Sequence, residues 1–288
     1  MSDAVIARAR GFLLLNGRLL ERHLFAHAYE DGSASAVVAA LEAYRNADGG
    51  FGNALEPDKR APPSQPQDAE VALRTLDAVN AVAPDRVAPL CDWLASVAAS
   101  AGGVPFSLPT VNAFPHAPWW GVSEDHPPAR LNPTAAIVGL LLKHRIDHPW
   151  IGSATDYCWS AIEASNSADF HEVACVEVFL AHVPDRLRAD RLLRRIVERV
   201  AAPGVVALDP DATGYVQKPL DFAPTPQSPF RALFDEATID RHLAALAARQ
   251  QADGGWSLSW DAISPGVEME CRGRVTLSAL ATLRAYGR

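Results

Sequence analysis

The strongest constraint on this chain is a short motif that occurs near both of its ends. It reads Asn46-Ala47-Asp48-Gly49-Gly50-Phe51-Gly52 in the first copy and Gln251-Ala252-Asp253-Gly254-Gly255-Trp256 in the second. Each copy follows an amphipathic run, Leu41-Glu42-Ala43-Tyr44-Arg45 or Leu246-Ala247-Ala248-Arg249-Gln250. Each precedes a polar, proline-containing loop and a second apolar run. Glycine stops a helix at positive φ without a Cβ penalty. The aspartate can accept from nearby backbone N–H groups and fix the turn, and the ring that follows buries against the helix pair. The repeating unit is therefore helix, glycine-stopped turn, loop, helix, and self-similarity of that kind sets the architecture. A turn-forming role is preferred for Asp48 and Asp253 over a catalytic one.

The 288 residues, 49% of them hydrophobic, suffice for one large domain with a substantial core. Strand-like alternation is scarce, while Ala, Leu, Arg and Glu dominate the periodic stretches, which predicts an all-α chain. Helices are expected over 3–15, 18–29, 33–45, 64–79, 84–99, 134–143, 150–164, 169–180, 185–200, 238–250 and 273–286. Ser64 with Gln67 and Asp169 with Glu172 have capping-box spacing, and Asn132-Pro133 suits a helix start. The segment 134–143 is apolar nearly all round, as a helix buried on every side must be. Gly102-Gly103-Val104 reads as a worn copy of the turn. Two long irregular segments interrupt the alternation. One holds Phe114, His116, Trp119, Trp120, Glu124, Asp125 and His126; the other runs over 201–230. Loops of that length within a compact domain are usually functional.

A formal charge of −8 with no basic tail argues against nucleic acid as a partner. Cys91, Cys158, Cys175 and Cys271 are scattered, which predicts free buried thiols in a reducing compartment. The first residues lack a signal-peptide layout and no apolar run reaches membrane-spanning length. The expectation is a soluble cytoplasmic protein. The arginines of 186–195 are expected to form a solvated face.

Asp-Gly-Gly-aromatic after an outer helix resembles the repeat of the terpenoid cyclase and protein prenyltransferase superfamily. Gln250-Gln251-Ala252-Asp253-Gly254-Gly255-Trp256 is similar to the glutamine–tryptophan repeat of squalene–hopene cyclases. The resemblance implies a single-domain α/α toroid over 1–288, with five to six helical hairpins, inner helices around a central cavity and outer helices wrapped about them. It also implies acid-initiated cyclisation or isomerisation of an apolar substrate of isoprenoid type.

In such a toroid the loops entering the inner helices share one rim of the cavity. Glu56 and Asp58, then Glu124, Asp125 and His126, then Asp209 and Asp211, and finally Glu268 and Glu270 are the acidic groups those loops carry. Asp209-Pro210-Asp211-Ala212-Thr213 is similar to the cyclase Asp-x-Asp-Asp motif with Ala212 in place of its last acid. On that match Asp211 is the general acid and Asp209 its helper; as a plain turn, the same residues cap a loop. His171, Glu56 and Asp58 are expected to relay protons or recognise polar groups, Trp119, Trp120 and Tyr215 to line the mouth, and Arg272 to face a ligand or pair with Glu268 or Glu270. The prenyltransferase zinc site is not matched, because Met269 stands where its Asp would be and Arg272 where its His would be. No metal and no cofactor are expected, Mg2+ entering only for a diphosphate substrate. Two further readings stand beside the cyclase. One is a non-catalytic toroid that binds a hydrophobic ligand or a protein. The other is a glycan-active α/α toroid that works with two carboxylates, which must lie roughly 5–10 Å apart.

Overall fold

The computed structural model describes residues 2–288. Among them are twelve α-helices and three short 3-10 helices, with only isolated bridges in place of sheet. No helix is long and apolar enough to cross a membrane. The helices group into two compact units. One holds the chain up to Val37 together with Val197–Arg288, and the other Val38–Ile196.

α3 (Ala34–Glu42) begins in the first unit, and its C-terminal half leads into the first turn of the second. Next come α4 (Pro66–Ala78), α5 (Pro84–Val97), α6 (Leu131–Lys143), α7 (Pro149–Ala164) and α8 (Phe170–His182). α6 packs on α4, α7 and α8, and α5 packs on α7. Alternate helices thus touch, α4 with α6 and α6 with α8 on one side and α5 with α7 on the other. α6 is buried from Pro133 to Leu141, as its apolar sequence predicts. Its Gly139 lies so close to Val178 and Phe179 of α8 that a Cβ would meet their backbone, and this close approach is what lets the two helices pack so tightly. In α9 (Arg186–Val200), Arg188 pairs with Glu163 at 2.9 Å and lies over the ring of Trp159.

The first unit contains α1 (Asp3–Asn16), α2 (Leu19–Tyr29), α10 (Pro219–Phe222), α11 (Glu236–Ala248) and α12 (Pro265–Ala285). α12 packs on α1, α2 and α11. It starts eight residues before the expected Gly273, because Ser264 accepts from the amide of Val267 and Pro265 occupies the first turn.

Three turns follow one geometry. Gly49, Gly102 and Gly254 have φ of 90°, 95° and 94°. The amides of Asn46, Ala99 and Gln251 donate to the carbonyls of Gly50, Gly103 and Gly255 at 2.8–2.9 Å. Asp48 and Asp253 each accept from the second glycine's amide, at 2.9 and 3.0 Å. In the worn copy Ala101 stands at that place, and the backbone alone holds the turn. Each turn packs on another helix. A Cβ on the first glycine would collide with the carbonyl of Pro89, Ser153 or Arg8, and one on the second with the ring of Trp93, Tyr157 or Phe12. Carbonyl and ring are four residues apart in all three receiving helices, α5, α7 and α1, which places them one helical turn apart on one face. Thr134 of α6 and Thr276 of α12 then accept from the amides of Val104 and Trp256, tying the second and third turns to the helices that follow them.

Two expected caps differ. Ser64 does not box with Gln67, because its hydroxyl donates to Asp48 and the helix begins at Pro66. Asn132 does not cap α6. Its extended dihedrals are those of a residue just before a helix, but its side-chain oxygen serves Gln67 and Cys175 instead of the helix amides. Asp169 does cap α8, accepting from the amide of Glu172 at 3.0 Å.

Candidate functional site

The residues singled out from sequence fall in both units. In the first, the Asp209 carboxylate accepts from the amide of Asp211 at 2.9 Å, the mark of a plain turn. Asp211 is 88% exposed and lies 3.3 Å from Arg249. A general acid keeps its proton through burial, and this placement gives Asp211 none. Tyr215 is also exposed, its ring edge-on to Trp260. Arg272 is buried and used up. It bonds Asp253 and the carbonyl of Trp256, and lies over the ring of Phe12, so it braces the third turn instead of facing a ligand.

In the second unit, His171 is exposed on the first turn of α8. Trp119 is 47% exposed. Asp58 and Trp120 meet, but inside the protein: the indole N–H donates to the Asp58 carboxylate at 2.7 Å, and both residues are buried. Asp58 also accepts from the amide of Ala117 through its carbonyl. They anchor the long loop and do not line a mouth. Glu56 is half-buried, and its amide donates to Asp68 at 2.7 Å.

Lys59 is the centre of that anchor. It is wholly buried, 2.9 Å from an equally buried Asp68, and its ammonium sits 4.5 Å from the centre of the Trp120 ring. Burial raises the Asp68 carboxyl above its ordinary range, and the Lys59 charge opposes that rise. Trp120 stacks in turn on Phe106, with ring centres 4.9 Å apart. A fixed layer of cation, indole and phenyl results, and Phe106 forms part of the wall of a cavity.

That cavity, about 280 Å³, opens at the N-terminal ends of α6 and α8. Its lining includes Phe106, Ser107, Val122, Ser123, Glu124, Arg130, Asn132, Asp169 and Glu172. The Ser107 hydroxyl is buried with no hydrogen-bond partner. The Glu172 carboxylate accepts from Ser165 at 2.7 Å. Asn132 joins the cavity to a polar line among the inner helices. Its side-chain oxygen accepts from Gln67 at 2.6 Å and lies 3.5 Å from the Cys175 sulfur. Cys175 reaches Glu70, and Glu70 holds Arg74 at 2.7 Å. Burial pushes the Cys175 thiol well up, so it is a weak donor and not a nucleophile. Farther along α8, burial pushes Glu177 up to about 7 despite the opposing charge of Arg74.

Of this constellation only Glu124 is expected at the rim from sequence. A usable signal lay in α4: Gln67, Glu70 and Arg74, spaced three and four apart, put a polar stripe on an inner helix. Glu177 in the otherwise apolar α8 was a second.

No model of a known protein family matches the chain, and a search of the curated proteins finds no match either.

Proposed function

We propose that the chain is an α/α toroid, built from glycine-stopped hairpins like those of the terpenoid cyclase and prenyltransferase superfamily, that binds a small polar ligand in the cavity at the mouth of α6 and α8. The observation that carries the reading is the Ser107 hydroxyl, buried in the cavity wall without a partner. An unmade hydrogen bond there costs about 1–3 kcal/mol, and a ligand oxygen or nitrogen restores it. Convergent polar groups beside an aromatic wall are what small-molecule sites share. Ser123→Trp tests it. Ser123 is exposed at the cavity, so a large ring there blocks the entrance without disturbing the core. Small polar probes titrated into the isotope-labelled chain are expected to shift amide signals at the cavity in wild type and not in the variant. Equal shifts in both, or shifts confined to other surfaces, reject the site.

A second reading is favoured by Glu177. In acid-initiated chemistry of the cyclase or isomerase kind it replaces Asp211 as proton donor, since a carboxyl raised to about 7 is protonated in a large share of molecules near neutral pH. Incubation with isoprenoid diphosphates and free polyenes, comparing wild type with Glu177→Gln, tests it. Product from wild type and none from the variant is expected; equal turnover removes Glu177 from the role.

A further inference from the structure

The cavity's polar groups differ in how far they are already committed. Asp169 spends its carboxylate on the first turn of α8, Glu172 accepts from Ser165, and the oxygen of Asn132 serves Gln67 and Cys175. Four groups are left over. Glu124, Arg130 and Ser123 make no ion pair or side-chain hydrogen bond among the described residues but are exposed to water, and the buried Ser107 hydroxyl is unpartnered among them. One unspent anion, one unspent cation and one buried, unspent hydroxyl thus share a cavity of about 280 Å³.

We infer that the ligand of this cavity is a small zwitterion of the amino-acid class, its ammonium group held by Glu124 and its carboxylate by Arg130 and the Ser107 hydroxyl. This rests on the cavity being the binding site, as proposed above. A guanidinium presents parallel N–H donors that match a carboxylate, and the buried hydroxyl donates to the same group. The free carboxylate of Glu124 takes the ammonium. Phe106, fixed from behind by Trp120 and Lys59, offers its face to a short aliphatic stem. The volume lies just below the usual range for drug-sized ligands, about 300–1,000 Å³, which suits a single amino acid.

The test is a titration of the labelled full chain with L-alanine, L-serine and L-leucine, then ethylamine, propionate and glycerol. The amino acids are expected to shift the cavity amides, with ethylamine and propionate at least ~10-fold weaker, the loss of about one charged contact at 1.4 kcal/mol per decade. Arg130→Gln should lower amino-acid binding to the level of the amine, and Glu124→Gln to that of the carboxylate. Ethylamine or propionate binding as tightly as the amino acids overturns the zwitterion and leaves the cavity standing as a site. So does glycerol binding there while the amino acids do not. If no probe shifts the cavity amides, the site and its ligand class fall together.

Discussion

Two of the chain's long stretches poor in regular helix are held in opposite ways. Residues 98–130 in one unit close over a buried layer of Lys59, Trp120 and Phe106, with Asp58 gripping the indole from the side. Residues 201–217 in the other are tied by groups nearer the surface. Lys218 and Arg249 both donate to the carbonyl of Pro210, Ala207 pairs with Gln217, and Asp209 folds back on Asp211. The second stretch carries the acidic motif that looks like chemistry, and the first carries the cavity. A pair of acids with a proline between them forms a stable turn wherever it is, so it says little about burial. A lysine beside several prolines is unremarkable in sequence, yet Lys59 is wholly buried.

Breaking the buried layer should have the largest effect. Lys59→Ala strands the Asp68 carboxylate and is expected to cost about 3–5 kcal/mol in denaturant unfolding. Lys59→Met combined with Asp68→Leu should recover most of that loss, and a double variant as unstable as the single would show that the layer matters for shape and not for charge. Next comes Trp120→Phe, which keeps a ring for Lys59 and Phe106 but removes the indole donor to the buried Asp58, at about 1–3 kcal/mol.

The two acids give a smaller contrast, through pH. Glu177 is raised in the folded chain from 4.5 to about 7, so the native state binds more protons than the unfolded chain between those values. Its contribution is therefore fully present below 4.5 and is lost as pH rises to about 7, on the order of 1–3 kcal/mol. Glu177→Gln should flatten that part of the stability–pH curve. Smallest of all is Asp211→Asn. An exposed carboxylate beside Arg249 contributes within about 0.5 kcal/mol, and a loss several times larger in thermal unfolding would mean that the 201–217 stretch is anchored as firmly as the other.

The fold was readable where the signal is local. Glycine pairs stop helices by their own stereochemistry, so the turns at Gly49 and Gly254 are visible in the residues themselves, and even the Ala101 copy betrays itself by its two glycines. The early start of α12 was written in Ser264-Pro265, but Glu268, Glu270, Arg272 and Gly273 break its apolar pattern and mask the helix around them. Much of the site was not readable in that way. Trp120 meets Asp58 across 62 positions, and no local pattern records such a meeting. Ser107 looks like any loop serine until the cavity around it is seen. The stripe of Gln67, Glu70 and Arg74 is the exception, since its spacing alone puts three polar groups on one face of a helix that the turns mark as internal.

The matched spacing of carbonyl and ring, Pro89 with Trp93 and Ser153 with Tyr157, has a consequence for how such a chain can change length. Three turns end in such a plug, three helices, α5, α7 and α1, offer the socket, and all six are cut to one gauge. A hairpin that carries both can be gained or dropped between two of these, because its neighbours present the same spacing. A single residue inserted between Pro89 and Trp93 would swing the ring by about 100° around its helix axis and leave the incoming glycine pair nothing to seat against. Growth by units is open to this architecture, and growth by single residues is confined to its loops.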